Sequence, residues 1–328
     1  MKHLLLLLFV SAVIVGCGGG QVAGKKLTVL GEQRMHKEAG EVTFQGVPLS
    51  SGQIVLTEEG TPFSQFLTLA QRDFLPYTHA GILVVEKGVP YVYDMRGGLR
   101  PNWSGGPPTD VMHGGIARRS LKEIVRKNRI VAIYNPPQQA HRGKMVTFVW
   151  KSVVRKVDFD PYFDYSDHSR LYCVEFVAVA LQQAGAALPE LQPLRDNPSL
   201  AVAFRWLKFQ DSRIMAAGSF AVPERHVATF SATFTPDEIA AYFVIKQELH
   251  QRFAADQKIG SLFQWKQNKL QFRPEVKEFR RQALALAGRS GQVAEPEQIE
   301  TMVQKLADGF FAEPNPVFAA VQAISTSK

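Results

Sequence analysis

Cys173 is the side chain with the most reactive chemistry in its setting. A polar, aromatic stretch (158–170) gives way there to an apolar run, Cys173 to Ala184, that stops at Gly185 and reads as a helix. A helix N-terminus stabilises negative charge, so a cysteine placed on it is favoured as the thiolate, the nucleophilic form. The competing reading is a buried, inert cysteine, the usual fate of a free one. A thiol nucleophile needs a base. Of the eight histidines, His79 has the best context, because it opens the apolar strand His79 to Val85, and a base on a strand is held more rigidly than one on a loop. Without a partner it would read as a strand-end histidine satisfied by backbone or water.

A hairpin supplies the third group. Lys87-Gly88 reads as a two-residue turn between His79–Glu86 and a return strand from Val89. Glu86 then faces Val89, Gly81 faces Asp94 and His79 faces Arg96. Directly opposed residues share a face, so His79, Gly81 and Asp94 lie together, with His79 and Asp94 as diagonal neighbours about 7–8 Å apart at Cα. Gly81 leaves the space between them open. Asp94 is therefore placed to orient the imidazole and stabilise its charged form. A turn one residue longer would send Asp94 to the other face, and a plain ion pair with Arg96 is the simpler alternative for it.

The elements around these residues follow from patterning. Strands are expected over Gly52–Thr57, Ala80–Val85, Val89–Tyr93 and Arg129–Tyr134, and helices over Pro62–Phe74, Ser120–Lys127, His141–Val157 and Cys173–Ala184. Residues 97–115, rich in Gly and Pro, read as a loop. Short strand-like pieces fill 213–234. From the capping box Thr235-Pro236-Asp237-Glu238 onward three helical stripes follow, through Ile239–Phe253, Val276–Leu286 and Ile299–Phe310. The domains expected are 46–234 for the site-bearing part and 235–328 for a helical C-terminal region.

The N-terminus carries a different chemistry. Met1-Lys2-His3 is positive, and Leu4 to Val15 is apolar except for Ser11. That is too short to span a bilayer, which takes about 20 residues, but it suits the core of a secretory signal. The run Ile14-Val15-Gly16-Cys17, followed by Gly18-Gly19-Gly20, resembles a bacterial lipobox. The resemblance implies a signal peptide over 1–16, lipidation of Cys17 and a tether over 17–45. Gly18 after the cysteine implies the periplasmic face of the outer membrane in a Gram-negative host. Lipidation would leave Cys173 as the free thiol. A membrane anchor is thus expected and a membrane span is not.

Composition closes off other classes. With 38 Lys and Arg against 30 Asp and Glu over 328 residues, the net charge is +8. That fits acidic surfaces but does not mark a nucleic-acid binder. Two cysteines exclude a disulfide scaffold and a thiolate zinc site. Asp158, Asp160, Asp164, Asp167 and His168 form an acidic loop without EF-hand spacing, so no metal and no cofactor is expected.

Tyr77-Thr78-His79-Ala80-Gly81-Ile82, the return strand Tyr91-Val92-Tyr93-Asp94, and Arg170-Leu171-Tyr172-Cys173-Val174-Glu175-Phe176-Val177 together resemble the circularly permuted NlpC-type papain-like cysteine hydrolases, in the YiiX/YaeF branch that includes lipoproteins. The lead-in Phe159-Asp160 to Asp164 is similar as well, and the likeness covers residues 50–232. That branch more often carries Glu where this chain has Asp94, and Ser and Leu where it has Val174 and Phe176. The resemblance implies an α+β fold, an antiparallel sheet packed on helices, here with a C-terminal helical appendage. It implies Cys173 as nucleophile, His79 as general base and then acid, and Asp94 as orienter. The oxyanion would meet the Cys173 N–H, with Tyr77 and Tyr172 as candidate further donors and His168 as a candidate substrate contact. The expected function is a lipid-anchored peptidase or amidase acting on cell-wall peptides, other peptides or N-acyl amino acids. The same site on a thioester or lipid ester is the alternative, and a non-catalytic envelope scaffold the third. Protein partners cannot be read from the sequence.

Overall fold

Alternating and continuous apolar runs dictate the architecture. The structure is a computed structural model that describes residues 40–99, 112–207, 212–256, 261–266, 269–289 and 296–311. The segment expected to be a signal peptide, Cys17 and most of the expected tether lie outside the described residues. The described chain divides into two compact units, one reaching Thr233 and including Trp265–Gln271, the other formed by Phe234–Gln264 and the chain from Phe272.

In the first unit a small hairpin, β1 (Glu41–Phe44) and β2 (Val47–Ser50), precedes β3 (Ile54–Glu58) and helix α1 (Pro62–Ala70). Then come β4 (His79–Glu86), β5 (Val89–Leu99), β6 (Met112–Ser120), α2 (Leu121–Lys127) and β7 (Ile130–Tyr134). Helices α3 (Arg142–Arg155) and α4 (Cys173–Gln183) follow, then the short β8 (Gln192–Pro193), α5 (Pro198–Leu207), β9 (Arg213–Ile214) and β10 (His226–Phe230). Six strands form one sheet in the order β10-β7-β3-β4-β5-β6, antiparallel at every step. The arrangement is mixed α+β, as expected.

β3, β4 and β7 are almost wholly buried, which is why they read as continuous apolar runs. One face of the sheet (Val55, Leu83, Val92, Val131, Ile133) packs against Leu121, Ile124 and Val125 of α2. α2 starts where the sequence places it, with the Ser120 hydroxyl accepting from Glu123 N. Tyr93, of opposite parity to Val92, meets Trp150 of α3 with ring centroids 5.3 Å apart. Phe148 of α3 packs on Phe176 of α4 at 5.3 Å, and α4 lies against β4 and β5.

The β4–β5 turn has the geometry the hairpin argument needs. Lys87 and Gly88 both adopt positive φ, 48° and 76°, which a two-residue turn of matching twist requires. Ile82 faces Tyr93 and Glu86 faces Val89, the expected register. The Gly- and Pro-rich stretch read as a loop is corrected at both ends. β5 continues to Leu99 and β6 begins at Met112, with Gly97 opposite Gly114 and Arg96 opposite Gly115. Glycine depresses strand propensity, but here it permits contact: a Cβ on Gly97 would collide with the Phe159 ring and one on Gly114 with the Arg96 carbonyl.

In the second unit α6 (Pro236–Asp256), α7 (Pro274–Arg289) and α8 (Pro296–Phe311) pack on one another pairwise. They bury Ile245, Leu249 and Phe253 against Val276, Phe279 and Ala283, and Ile299, Val303 and Ala307. Between α6 and α7 in the sequence comes a hairpin, β11 (Phe263–Lys266) and β12 (Lys269–Phe272), of which Trp265–Gln271 belongs to the first unit. Among the described residues no helix is long and apolar enough to cross a membrane.

Candidate active site

The site assembles where the first turn of α4 meets the end of β4. Cys173 is the first residue of α4 and is buried. The first N–H groups of a helix have no intrahelical acceptor, so this end offers both donors and a favourable dipole. His79 is partly exposed and its imidazole hydrogen-bonds the Cys173 side chain. Its Nε2 lies 2.5 Å from Asp94 Oδ2. Asp94 is 1% exposed. A Cβ on Gly81 would stand 3.1 Å from the Asp94 Cβ, so the glycine opposite leaves that carboxylate its place.

The charges reinforce one another. Burial works to lower the His79 pKa, but the Cys173 charge, the hydrogen bonds to Asp94 and Cys173 and the Asp94 charge outweigh it and raise the value to about 9. Burial likewise pushes the Asp94 carboxyl up. The hydrogen bond from His79 and the charges of Arg119, His79 and Arg96 win, holding it at about 2. At neutral pH the pair is an imidazolium bonded to a carboxylate.

The other residues singled out in the sequence have partners that give them structural work. Tyr77 is buried, its ring 6.4 Å from that of Tyr134, and hydrogen-bonds Tyr134 and Thr229. Tyr172 is buried with its ring 5.0 Å from Phe163, and its hydroxyl accepts from Met215 N at 3.0 Å. His168 Nδ1 lies 2.6 Å from Glu175 Oε1. The acidic loop spends its carboxylates on turns. Asp160 accepts from Tyr162 N and Asp164 N, Asp164 from Ser166 and Asp167 from Ser169, as Asp does in Asx-turns. Among the described residues no cluster of three His, Cys, Asp or Glu is placed to hold a metal ion.

Two groups were not assigned from sequence. Glu175 is fully buried in the first turn of α4, where Oε2 accepts from Tyr172 N at 3.2 Å. Burial, and then the nearby Asp160, Asp164 and Asp167, raise its pKa to about 9 despite that bond. Arg119 places its Nη2 2.5 Å from Asp94 Oδ2. The sequence signal for Arg119 was the pair Arg118-Arg119: in a strand, adjacent residues face opposite ways. Arg118 forks onto Glu86 and covers the Tyr91 ring, and Arg119 turns to Asp94.

Comparison with known proteins returns little. No family model matches the chain, and no curated protein matches it. One solved structure is similar, the crystal structure of the metalloprotein YiiX from Escherichia coli O157:H7. It shares 16% identity and covers 56% of this chain and 98% of its own, with a TM-score of 0.42.

Proposed function

We propose that this protein is a cysteine hydrolase of permuted papain-like fold that cuts an amide bond in a peptide or N-acyl amino acid, and that lipidation of Cys17 holds it at the cell envelope. The observation that carries the chemistry is the His79 imidazole, bonded to the Cys173 side chain at a helix start and to the buried Asp94 carboxylate at 2.5 Å. Nucleophile, base and orienting group in hydrogen-bond sequence are what covalent catalysis needs.

In this reading the Cys173 thiolate attacks the substrate carbonyl carbon, and the carbonyl oxygen becomes an oxyanion facing the Cys173 N–H. The His79 imidazolium gives its proton to the departing amine as the C–N bond breaks, leaving a thioester on Cys173. The now neutral imidazole takes a proton from water, whose hydroxide displaces the thiolate and releases the acid. Asp94 keeps the ring oriented throughout and stabilises its charged form.

The test is direct. Iodoacetamide should label Cys173 of the folded protein at pH 7 and abolish turnover of a labelled peptide panel, and Cys173→Ala should remove both. A Cys173 that stays unlabelled at neutral pH overturns the hydrolase reading. Turnover of labelled lipids and not of peptides would move the substrate to the ester class. Incorporation of labelled fatty acid, lost in Cys17→Ser, tests the anchor separately.

A further inference from the structure

Asp94 does not serve His79 alone. It stands on the middle strand of β4, β5 and β6, facing Ala117 of β6. Arg119 is therefore its diagonal neighbour on one side, as His79 is on the other. Both reach the same oxygen: His79 Nε2 and Arg119 Nη2 each lie 2.5 Å from Oδ2. Arg96 Nη1 is 3.9 Å from that oxygen. Asp94 Oδ1 and Arg119 Nε are both buried without a hydrogen-bond partner among the described residues. Further charged groups stand nearby. Arg96 also reaches Glu59 at 3.4 Å, Glu123 of α2 feels Arg119 and Arg96, and Cys173 acts through His79.

We propose that Arg119 is a positioning residue of the hydrolytic site, its guanidinium pinning the Asp94 carboxylate in the orientation that holds the His79 ring toward Cys173; this rests on the cysteine-hydrolase reading above. A buried carboxylate bonded to one imidazole alone is free to rotate about its terminal torsion and to draw the ring proton toward itself. A second, permanently charged donor on the same oxygen fixes the torsion and makes the carboxylate a poor base. The proton then stays on the imidazole, where the leaving group needs it. The three residues run as one diagonal across the sheet, so backbone pairing alone sets their spacing. Arg119 touches no reacting atom and acts through Asp94.

A double-mutant cycle in the full chain separates this from a packing role. The readout is the rate of Cys173 alkylation by iodoacetamide at pH 6, with thermal midpoints to show folding. Arg119→Gln should slow alkylation about tenfold and Asp94→Asn by about ten- to a hundredfold, the range expected for losing a hydrogen bond to a charged group. The double variant should match Asp94→Asn, because Arg119 has nothing left to position. Arg119→Lys, which keeps a charged donor for Oδ2, should recover to within about threefold of the wild type, and Arg119→Met takes the place of the Gln variant in the cycle if that one does not fold. An Arg119→Gln rate equal to the wild type, or one that multiplies the Asp94→Asn loss, overturns the proposal and leaves the hydrolase reading standing. Unchanged rates in His79→Ala and Asp94→Asn overturn both.

Discussion

At Cys173 the thiol stands on a helix start and beside an imidazole at once. Removing the neighbour is therefore more informative than removing the thiol. Asp94→Asn keeps the shape of the side chain but cannot hold an imidazolium, and should lower turnover by about 10²–10⁴-fold with little change in fold. The His79 value also sets a pH limit. Its pKa is raised to about 9, so the protonated form, which the proposed mechanism uses to expel the amine, is lost as pH rises through that value. Turnover should fall on the alkaline side with a midpoint of about 9, measured as a pH–rate profile. His79 is also a stability term: the preference for the proton is present below an ordinary histidine value and disappears as pH rises toward about 9.

Among the elements, the start of α4 holds a second buried acid. Glu175 lies fully buried there, with a pKa raised to about 9. The folded state thus holds a proton that the unfolded chain releases above an ordinary carboxyl value. The stability this represents is complete in mild acid and lost progressively up to about pH 9. Urea unfolding at pH 5 and pH 8 should show the wild type weaker at pH 8, and Glu175→Gln should reduce that difference. A Gln that leaves the pH dependence intact would show that the carboxyl is charged and paired with His168. The β4–β5 hairpin is constrained sterically. In Gly81→Ala the new methyl would stand 2.8 Å from Val92 Cγ1 and 2.9 Å from the Tyr93 carbonyl. This should cost about 1–3 kcal/mol and, by displacing Asp94, slow Cys173 alkylation as well. Calorimetry and the alkylation rate check the two effects.

Over the whole molecule, charge is more unevenly spread than the net figure of +8 implies. Between residues 118 and 156 Glu123 is the single acid among eleven Lys and Arg. On α3, Lys144, Lys151 and Arg155 are exposed, and at i, i+7 and i+11 they lie along one stripe. Among the described residues none of the three has an ion-pair partner. A stripe of this kind attracts anionic surfaces and is screened by salt. The triple variant Lys144→Glu, Lys151→Glu, Arg155→Glu should elute from a cation-exchange column at lower salt than the wild type. Its Cys173 alkylation should be unchanged, since the stripe is no part of the site.

By itself the sequence determined what rests on local rules: the buried strands, the cap at Ser120, the helix start at Cys173, and the two-residue turn that puts His79 and Asp94 on one face. These are readable because strand parity and helix capping act over a few residues. Tertiary structure decided the rest. Gly97, Gly114 and Gly115 look like loop residues until Phe159 and a neighbouring carbonyl are seen to need their missing side chains. Arg119 is one more surface cation until β6 pairs with β5 and brings its guanidinium onto Asp94. Likewise Glu175 is a helix-start acid until packing removes it from water. Each is a long-range contact, and a contact between distant segments leaves no periodic mark on either one.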